Sequence, residues 1–340
     1  MKNIAFFYSD NGFGHLRRIL LFYNYFKKKN FHCTIFGSKR KINYLANKIK
    51  IKDVNIINFK DPRFYFDKNF NFNNFFFKKK INLKNFDFII SDTLIEILFF
   101  EKKTIILASF LWHRALKNVN PNYFSFAESL IKKNKPIIFS SKDFASVYLK
   151  KFKNYNINLI HKKKDLIINK KKNRNILISI GKSKLSLLEM KQFIKGIINE
   201  YENKQRQQMP FDSLFVEESI LPKKFPFWIK KATYTPQMYK KITASVIRPG
   251  VGTVTDSLRY SSKIFPFYEK NNKEMRYNSK ILSKLRYGIS CKNYNDAFKK
   301  ATNYCNSKSE ISNFIKLSNK IKFNGDEQMY DILKYKLKIL

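Results

Sequence analysis

The chain alternates between short unbroken apolar runs and longer stretches whose apolar residues recur at helical spacing. The run NIAFFY (3–8) is followed by Leu16, Ile19, Leu20, Tyr23 and Phe26, which share one face of a helix. HCTIF (32–36), VNIINF (54–59), FDFIIS (86–91), TIILAS (104–109) and PIIFSS (136–141) continue the series of predicted strands. Unbroken apolar runs suit strands buried on both faces, which is the environment of a parallel sheet covered by helices. The alternation restarts at NILISIG (175–181) and passes through DSLFVEE (212–218), SVIRPGVGT (245–253) and SKIFPF (262–267). Helix-like segments follow at 273–286 and 308–338. The pattern predicts an α/β protein with two Rossmann-like, doubly wound domains. A polar, basic stretch, HKKKDLIINKKKNR (161–174), separates them. The expected division is an N-terminal domain over 1–165, a C-terminal domain over 174–325 and a closing helix over 326–340. The aromatic tract at 63–80, rich in Asn and Lys, takes no assignment.

Composition narrows the class. With 340 residues, 44% of them hydrophobic, the chain can fill two cores and is no disordered polyelectrolyte. Its formal charge of +43 attracts anions such as phosphorylated substrates, nucleic acid or anionic lipid. The lysines are spread over the whole chain, and no zinc-finger, RRM-like or basic-helix signature gathers them into a specific nucleic-acid face. Cys33, Cys291 and Cys305 lack metal-ligand spacing, and their odd number fits a reducing cytoplasm better than a disulfide framework. Neither a signal peptide nor a run of about 18 apolar residues stands out. The expectation is a cytoplasmic protein, with peripheral attachment to the inner face of a membrane through Arg17, Arg18 and the residues around Phe75–Lys80 as the reading that the charge suggests.

Two glycine turns carry the candidate chemistry, in a chain with only 9 glycines. The first, SDNGFGHLRR (9–18), places Gly12, Gly14 and His15 at the carboxyl end of the first predicted strand, where an open sheet binds ligands. Imidazole titrates in the range a general base needs, so His15 is the candidate base; it could instead bind a phosphate or its own backbone. Of Arg17 and Arg18, one is expected to meet an anionic acceptor and the other to be solvated. Asp92 ends another strand at the same edge, placed to orient His15 or the acceptor, or to cap the next helix. His113 beside Trp112 reads as a packed aromatic corner. The second turn, Arg248-Pro249-Gly250-Val251-Gly252-Thr253, runs from strand to helix. A helix expected to start near Thr253 would point free N–H groups and its dipole at an anion such as a diphosphate. Asp256, one turn on, suits a ribose diol; a plain turn with Asp256 at a helix N-terminus reads equally well on spacing alone. Glu274 and Asn278 share a helix face.

The segment RPGVGTVTD…FPFYEKNNKEMRYNSKIL resembles the donor-binding half of GT-B glycosyltransferases. It is most similar to the family-28-like group that includes the peptidoglycan lipid-intermediate N-acetylglucosaminyltransferase. SDNGFGHLRR resembles the first glycine loop of that group, and ILISIGKS the first strand and loop of its C-terminal domain. FIISDTLIEI and IILASFLWHRAL resemble one uncharacterised branch of related proteins. The resemblance implies two domains facing a cleft, with Gly250, Val251, Gly252 and Thr253 on the nucleotide diphosphate. Arg248 could neutralise that diphosphate, or simply pair on the surface. It implies Asp256 on the ribose and Glu274 with Asn278 on the donor sugar. Three positions depart from the group: Asp256 replaces a usual Glu, Met275 replaces a usual Gln, and Gly181-Lys182-Ser183 replaces a pair of glycines.

The function so implied is transfer of a sugar from a nucleotide sugar, a UDP-sugar by resemblance, to a glycan or lipid-linked acceptor. No D-x-D pair occurs, so metal independence is expected, with no cofactor beyond the nucleotide-sugar substrate. The rivals are a UDP-sugar 2-epimerase-like enzyme and a non-catalytic binder of nucleotides or polyanions. The absence of G-x-G-x-x-G and of G-x-x-x-x-G-K-[ST] speaks against a dehydrogenase and a P-loop enzyme.

Overall fold

The computed structural model describes residues 1–10, 13–60, 83–101, 103–118, 120–161, 173–181 and 187–340. Gly12, the 63–80 tract and Lys182-Ser183 lie outside these. The chain forms two compact units, residues 1–162 with 323–340, and residues 163–322.

The first unit is built on seven parallel strands: β1 (Asn3–Tyr8), β2 (His32–Gly37), β3 (Ile56–Asn58), β4 (Phe88–Asp92), β5 (Thr104–Leu107), β6 (Ile138–Ser141) and β7 (Asn154–Ile157). Their order is β3-β2-β1-β4-β5-β6-β7, so the winding reverses between β1 and β4. The central strands are apolar on both faces because both faces are covered: Ile4, Phe6 and Phe7 of β1 are fully buried. Helix α1 (Phe13–Lys28) buries the predicted stripe of Leu16, Ile19, Leu20, Tyr23 and Phe26 against one face. Lys27 and Lys28 in its last turn favour the negative end of its dipole. Asn30, with φ 63°, then takes the left-handed conformation that commonly follows a helix end. Helix α2 (Lys39–Lys48) packs beside it. On the other face, α3 (Pro121–Asn134) covers Ile106 and Ile138 through Tyr123, Ala127 and Ile131. Asn120 caps α3 by accepting from the Tyr123 amide at 3.1 Å, and Pro121 follows where its missing N–H costs no hydrogen bond.

The second unit has five parallel strands: β8 (Asn175–Ser179), β9 (Ser213–Val216), β10 (Ile229–Lys231), β11 (Ala244–Ile247) and β12 (Lys263–Pro266). Their order, β10-β9-β8-β11-β12, again reverses beside the first strand. Its helices are α4 (Leu187–Tyr201), α5 (Pro236–Lys241), α6 (Val251–Arg259), α7 (Lys273–Lys284), α8 (Tyr294–Asn306) and α9 (Lys308–Asn319).

The chain then returns to the first unit. Helix α10 (Gly325–Asp331) and a π-helical turn over Ile332–Lys336 place Met329 and Leu333 in the core beneath α1. A side-chain carbon at Gly325 would lie 2.1 Å from the Asn158 carbonyl, so this junction accepts only glycine. The expected helix over 326–340 is thus two shorter pieces.

Candidate active site

In open parallel sheets the crevice for ligands lies at the carboxyl ends of the strands, where the winding reverses. In the first unit that point falls between β1 and β4, and both sequence candidates are there. Asp92 is the last residue of β4 and fully buried; His15 is in the first turn of α1. His15 Nδ1 lies 2.9 Å from Asp92 Oδ1. An ionised carboxylate only accepts, so Nδ1 carries a proton, and in a neutral ring the lone pair is then on Nε2. Arg18, one turn along α1, donates from Nε to Asp92 Oδ2 at 2.6 Å and from Nη2 to Oδ1 at 2.5 Å. Burial opposes ionisation of Asp92, but Arg18 and His15 outweigh it and hold the carboxyl below its usual range.

One expectation needs correction here: neither arginine is simply solvated. The Arg18 guanidinium forms a two-point pair with the buried Asp92. Arg17 donates to His161 Nε2 at 2.9 Å, and His161 is itself buried. Both arginines are therefore held by side-chain partners within the fold. The partners lie 74 and 144 positions away, beyond the reach of local pattern reading.

Asp92 is held in place by the next residue. Thr93 takes φ 67°, the left-handed region, which a β-branched residue rarely enters. Its amide donates to the Leu107 carbonyl at 3.1 Å. Strain of this kind, where the fold enforces it, is common at functional sites. Beside His15 lies a small recess of about 10 Å³, room for about one water, walled by Thr93, Leu94, Glu96, Trp112 and Tyr123. Glu96, in a 3₁₀ turn over Ile95–Phe99, is buried, and its Oε1 accepts from Tyr123 Oη at 2.8 Å. Glu96 was missed by sequence reading; its spacing from Asp92, across a strand end, was the available signal. His113 is the packed corner that was expected: it is fully buried, with its ring 5.9 Å from Phe124. Burial, partly offset by Glu128, pushes its pKa down to about 4.

In the second unit the reversal lies between β8 and β11. The helix after β11 starts earlier than expected, at Val251 rather than near Thr253. Gly250, extended at φ −69° and ψ 136°, is its N-cap, and Gly252 lies inside the first turn. The reason is the Pro249 and Gly250 geometry: the Gly250 amide closes on the Arg248 carbonyl at 2.8 Å, turning the chain before the second glycine. Gly250 has no side chain with which to cap α6. A side-chain carbon at Gly250 or at Gly14 would meet nothing within 4 Å, so both backbones face open space. Buried Asn278, on α7, donates from Nδ2 to the Pro249 carbonyl at 2.9 Å and braces this turn. Arg248 Nε donates to Glu269 at 3.0 Å. Asp256 is buried in the second turn of α6, and Glu274 is half-buried in the first turn of α7. Met275 is buried. On the β9 side of β8, Glu217 Oε2 accepts from the amides of Ile180 and Gly181 at 3.0 and 2.9 Å and from Ser179 Oγ at 2.7 Å. Tyr234 Oη reaches the same oxygen at 3.3 Å. Glu217 and Tyr234 were missed by sequence reading.

Among the described residues no three His, Cys, Asp or Glu side chains gather as a metal site, and no helix is long and apolar enough to cross a membrane.

The two reversed, parallel sheets define the chain as having the GT-B fold of nucleotide-sugar-dependent glycosyltransferases. The calicheamicin glycosyltransferase CalG4 superposes with a TM-score of 0.64 at 10% identity, over 99% of this chain and 98% of the other. The glycotransferase of kitacinnamycin gives 0.67 at 10% identity, over 99% of both chains. UGT89C1 of Arabidopsis thaliana, in complex with UDP-L-rhamnose, gives 0.62 at 10% identity, also over 99% of both; it has further been solved with quercetin. No protein-family model matches the chain. No curated protein matches it by sequence. The likeness is therefore one of fold.

Proposed function

We propose that the chain is a glycosyltransferase that moves a sugar from a UDP-sugar donor to a hydroxyl of a small acceptor, with inversion at the anomeric carbon. The observation that carries this reading is the His15–Asp92 hydrogen bond at the reversal of the first sheet. Asp92 fixes the Nδ1–H tautomer, so Nε2 is free to act as base. Nε2 takes the acceptor proton as the acceptor oxygen attacks the anomeric carbon. The bond from that carbon to the diphosphate breaks, and UDP leaves with the electron pair. Arg18 keeps Asp92 ionised, which stabilises the imidazolium formed in the transfer.

The donor is assigned to the second unit. The amides of Val251, Gly252 and Thr253 open α6 and, with its dipole and Arg248, suit the leaving diphosphate without a metal ion. Asp256 is assigned to the ribose and Glu274 to the donor sugar, while Asn278 braces the turn through Pro249. The choice of a UDP-sugar is supported by the fold shared with UGT89C1, solved with UDP-L-rhamnose. The quercetin complex of that same neighbour favours a small ring-bearing acceptor over the glycan or lipid-linked one that the resemblance implies. A base-and-carboxylate pair beside a recess also favours transfer over epimerisation or mere binding.

The test is a hydrolysis and transfer screen of the purified protein against a panel of nucleotide sugars. Release of UDP from one of them by the native protein, and not by His15→Ala, is expected. Equal release by His15→Ala, or release of no nucleotide at all, would defeat the reading.

A further inference from the structure

The second unit carries a loop that the candidate site does not use. Between the turn at Glu218–Ile220 and β10 the chain reads Leu221-Pro222-Lys223-Lys224-Phe225-Pro226-Phe227-Trp228. Trp228 is buried, with its ring 5.4 Å from Phe211, and its carbonyl accepts from the Leu214 amide near the start of β9. The loop is thus anchored at the amino ends of the strands, away from the crevice at their carboxyl ends. Phe225 and Phe227 are 42% and 76% exposed, and neither ring has an aromatic partner among the described residues. The Ile229 amide closes on the Pro226 carbonyl at 3.0 Å, which sets Phe227 at the tip of a tight turn. Pro222 and Pro226 restrict the backbone on either side of Lys223, Lys224 and Phe225. Both lysines are exposed and make no ion pair among the described residues. The nearest carboxylate in sequence, Glu218, is held by Lys231, and from Ser219 to Thr255 the chain has no Asp or Glu.

A phenylalanine ring has no hydrogen-bonding group, and exposing two of them side by side costs free energy that burial would recover. What covers them must be apolar, with anions beside it for the lysines. An anionic bilayer offers both, acyl chains directly beneath a layer of negative headgroups. The prolines lower the cost of docking, because the loop is restrained before it meets a surface. We propose that the 221–228 loop is a membrane-docking element, which seats Phe225 and Phe227 in the interface of an anionic bilayer with Lys223 and Lys224 at the headgroups. The net charge of +43 brings the protein to such a surface, and the loop decides which face meets it. This face is distinct from Arg17, Arg18 and the residues around Phe75–Lys80. Docked in this way, the second unit turns the amino ends of its strands to the membrane and leaves the crevice at their carboxyl ends open to dissolved ligands. The proposal stands apart from the transfer reading and is measurable without donor or acceptor.

Co-sedimentation of the full chain with vesicles tests it, using phosphatidylcholine alone and phosphatidylcholine mixed with phosphatidylglycerol. The native protein should partition onto the anionic vesicles about tenfold or more above the neutral ones, and less strongly as salt is raised. Phe225→Ser combined with Phe227→Ser should weaken that partition by about tenfold or more. Lys223→Gln combined with Lys224→Gln should weaken it by about tenfold as well. Lys308→Gln combined with Lys316→Gln, the same loss of charge on α9, should change it by less than about twofold. Each variant should unfold in urea like the native protein, since all of these side chains are exposed. Equal partition onto the two kinds of vesicle, no partition at all, or loop variants that bind as the native chain does would overturn the proposal. An equal loss in the α9 variant would assign the binding to diffuse charge and would also overturn it. Loop-dependent binding of an oligonucleotide, or loop-dependent self-association, in a protein that ignores vesicles would give the rings a different partner, with the same consequence.

Discussion

At the carboxyl ends of β1 and β4, His15, Asp92 and Arg18 meet at 2.5–2.9 Å, while at the same place in the second sheet, between β8 and β11, the contacts are made largely by backbone. There Gly250 caps α6 without a side chain, and the amides of Ile180 and Gly181 turn towards Glu217. The two sheets share the local order of three strands around the reversal, β2-β1-β4 and β9-β8-β11, so they offer the same crevice. What differs is what stands at its rim. Three ionisable side chains suit the moving of a proton. A helix start with an uncovered backbone suits the holding of an anion. Topology thus places a crevice in each unit, and a few residues at each rim give the two a different chemical character.

The largest expected effect on that contrast comes from removing the arginine. Arg18→Met leaves the buried Asp92 with His15 as its partner and should lower the stability of the first unit by about 3 kcal/mol. The chain has one tryptophan in each unit, Trp112 and Trp228, so single-tryptophan variants followed in urea report each unit separately. Loss confined to the Trp112 transition is expected. Loss at Trp228 instead would break the assignment of the charged rim to the first unit.

Acid should also act on the first unit first. His113 is held neutral, with its pKa lowered from 6.5 to about 4. A folded-state pKa below the unfolded one means stability present above pH 6.5 and lost as pH falls towards 4, on the order of 3 kcal/mol at about 1.4 kcal/mol per pH unit. Asp92, also lowered, adds to this at still lower pH. His113→Phe should flatten the pH dependence of the Trp112 transition between pH 6.5 and 4. An unchanged slope would show that burial of His113 is not what sets it.

The smallest effects belong to the two glycines that face open space. Gly14→Ala lies in a helix and should raise stability by up to about 1 kcal/mol, and Gly250→Ala at an N-cap should change it by a few tenths. If ligands approach these backbones, Gly14→Ala should slow transfer and Gly250→Ala should weaken UDP binding, each without loss of fold. Kinetics and calorimetry that found both functions intact would reduce the two glycines to turn formers.

The strands were readable because a buried parallel strand is an unbroken apolar run, as in NIAFFY and TIILAS. β7, with the sequence NYNI at a sheet edge, and the three-residue β10 lack that signal and were missed. His15 and Asp92 were found because a glycine turn and a strand-ending carboxylate mark the sheet edge locally. The Arg18–Asp92 pair was not legible because the partner comes from another strand, and Glu96 was missed because a carboxylate in an apolar run does not announce what it packs against. The start of α6 was misplaced because the nearer glycine, Gly250, had already made the turn.

The central claim is that His15 and Asp92 act as one proton-accepting unit. A double-mutant cycle on turnover, with UDP affinity measured alongside, tests it most directly. His15→Ala and Asp92→Asn should each lower turnover by roughly a hundred- to ten-thousand-fold, the double variant should be no slower than His15→Ala, and all should bind UDP like the native chain. Losses that multiply in the double variant, or that appear as weakened UDP binding, would contradict it.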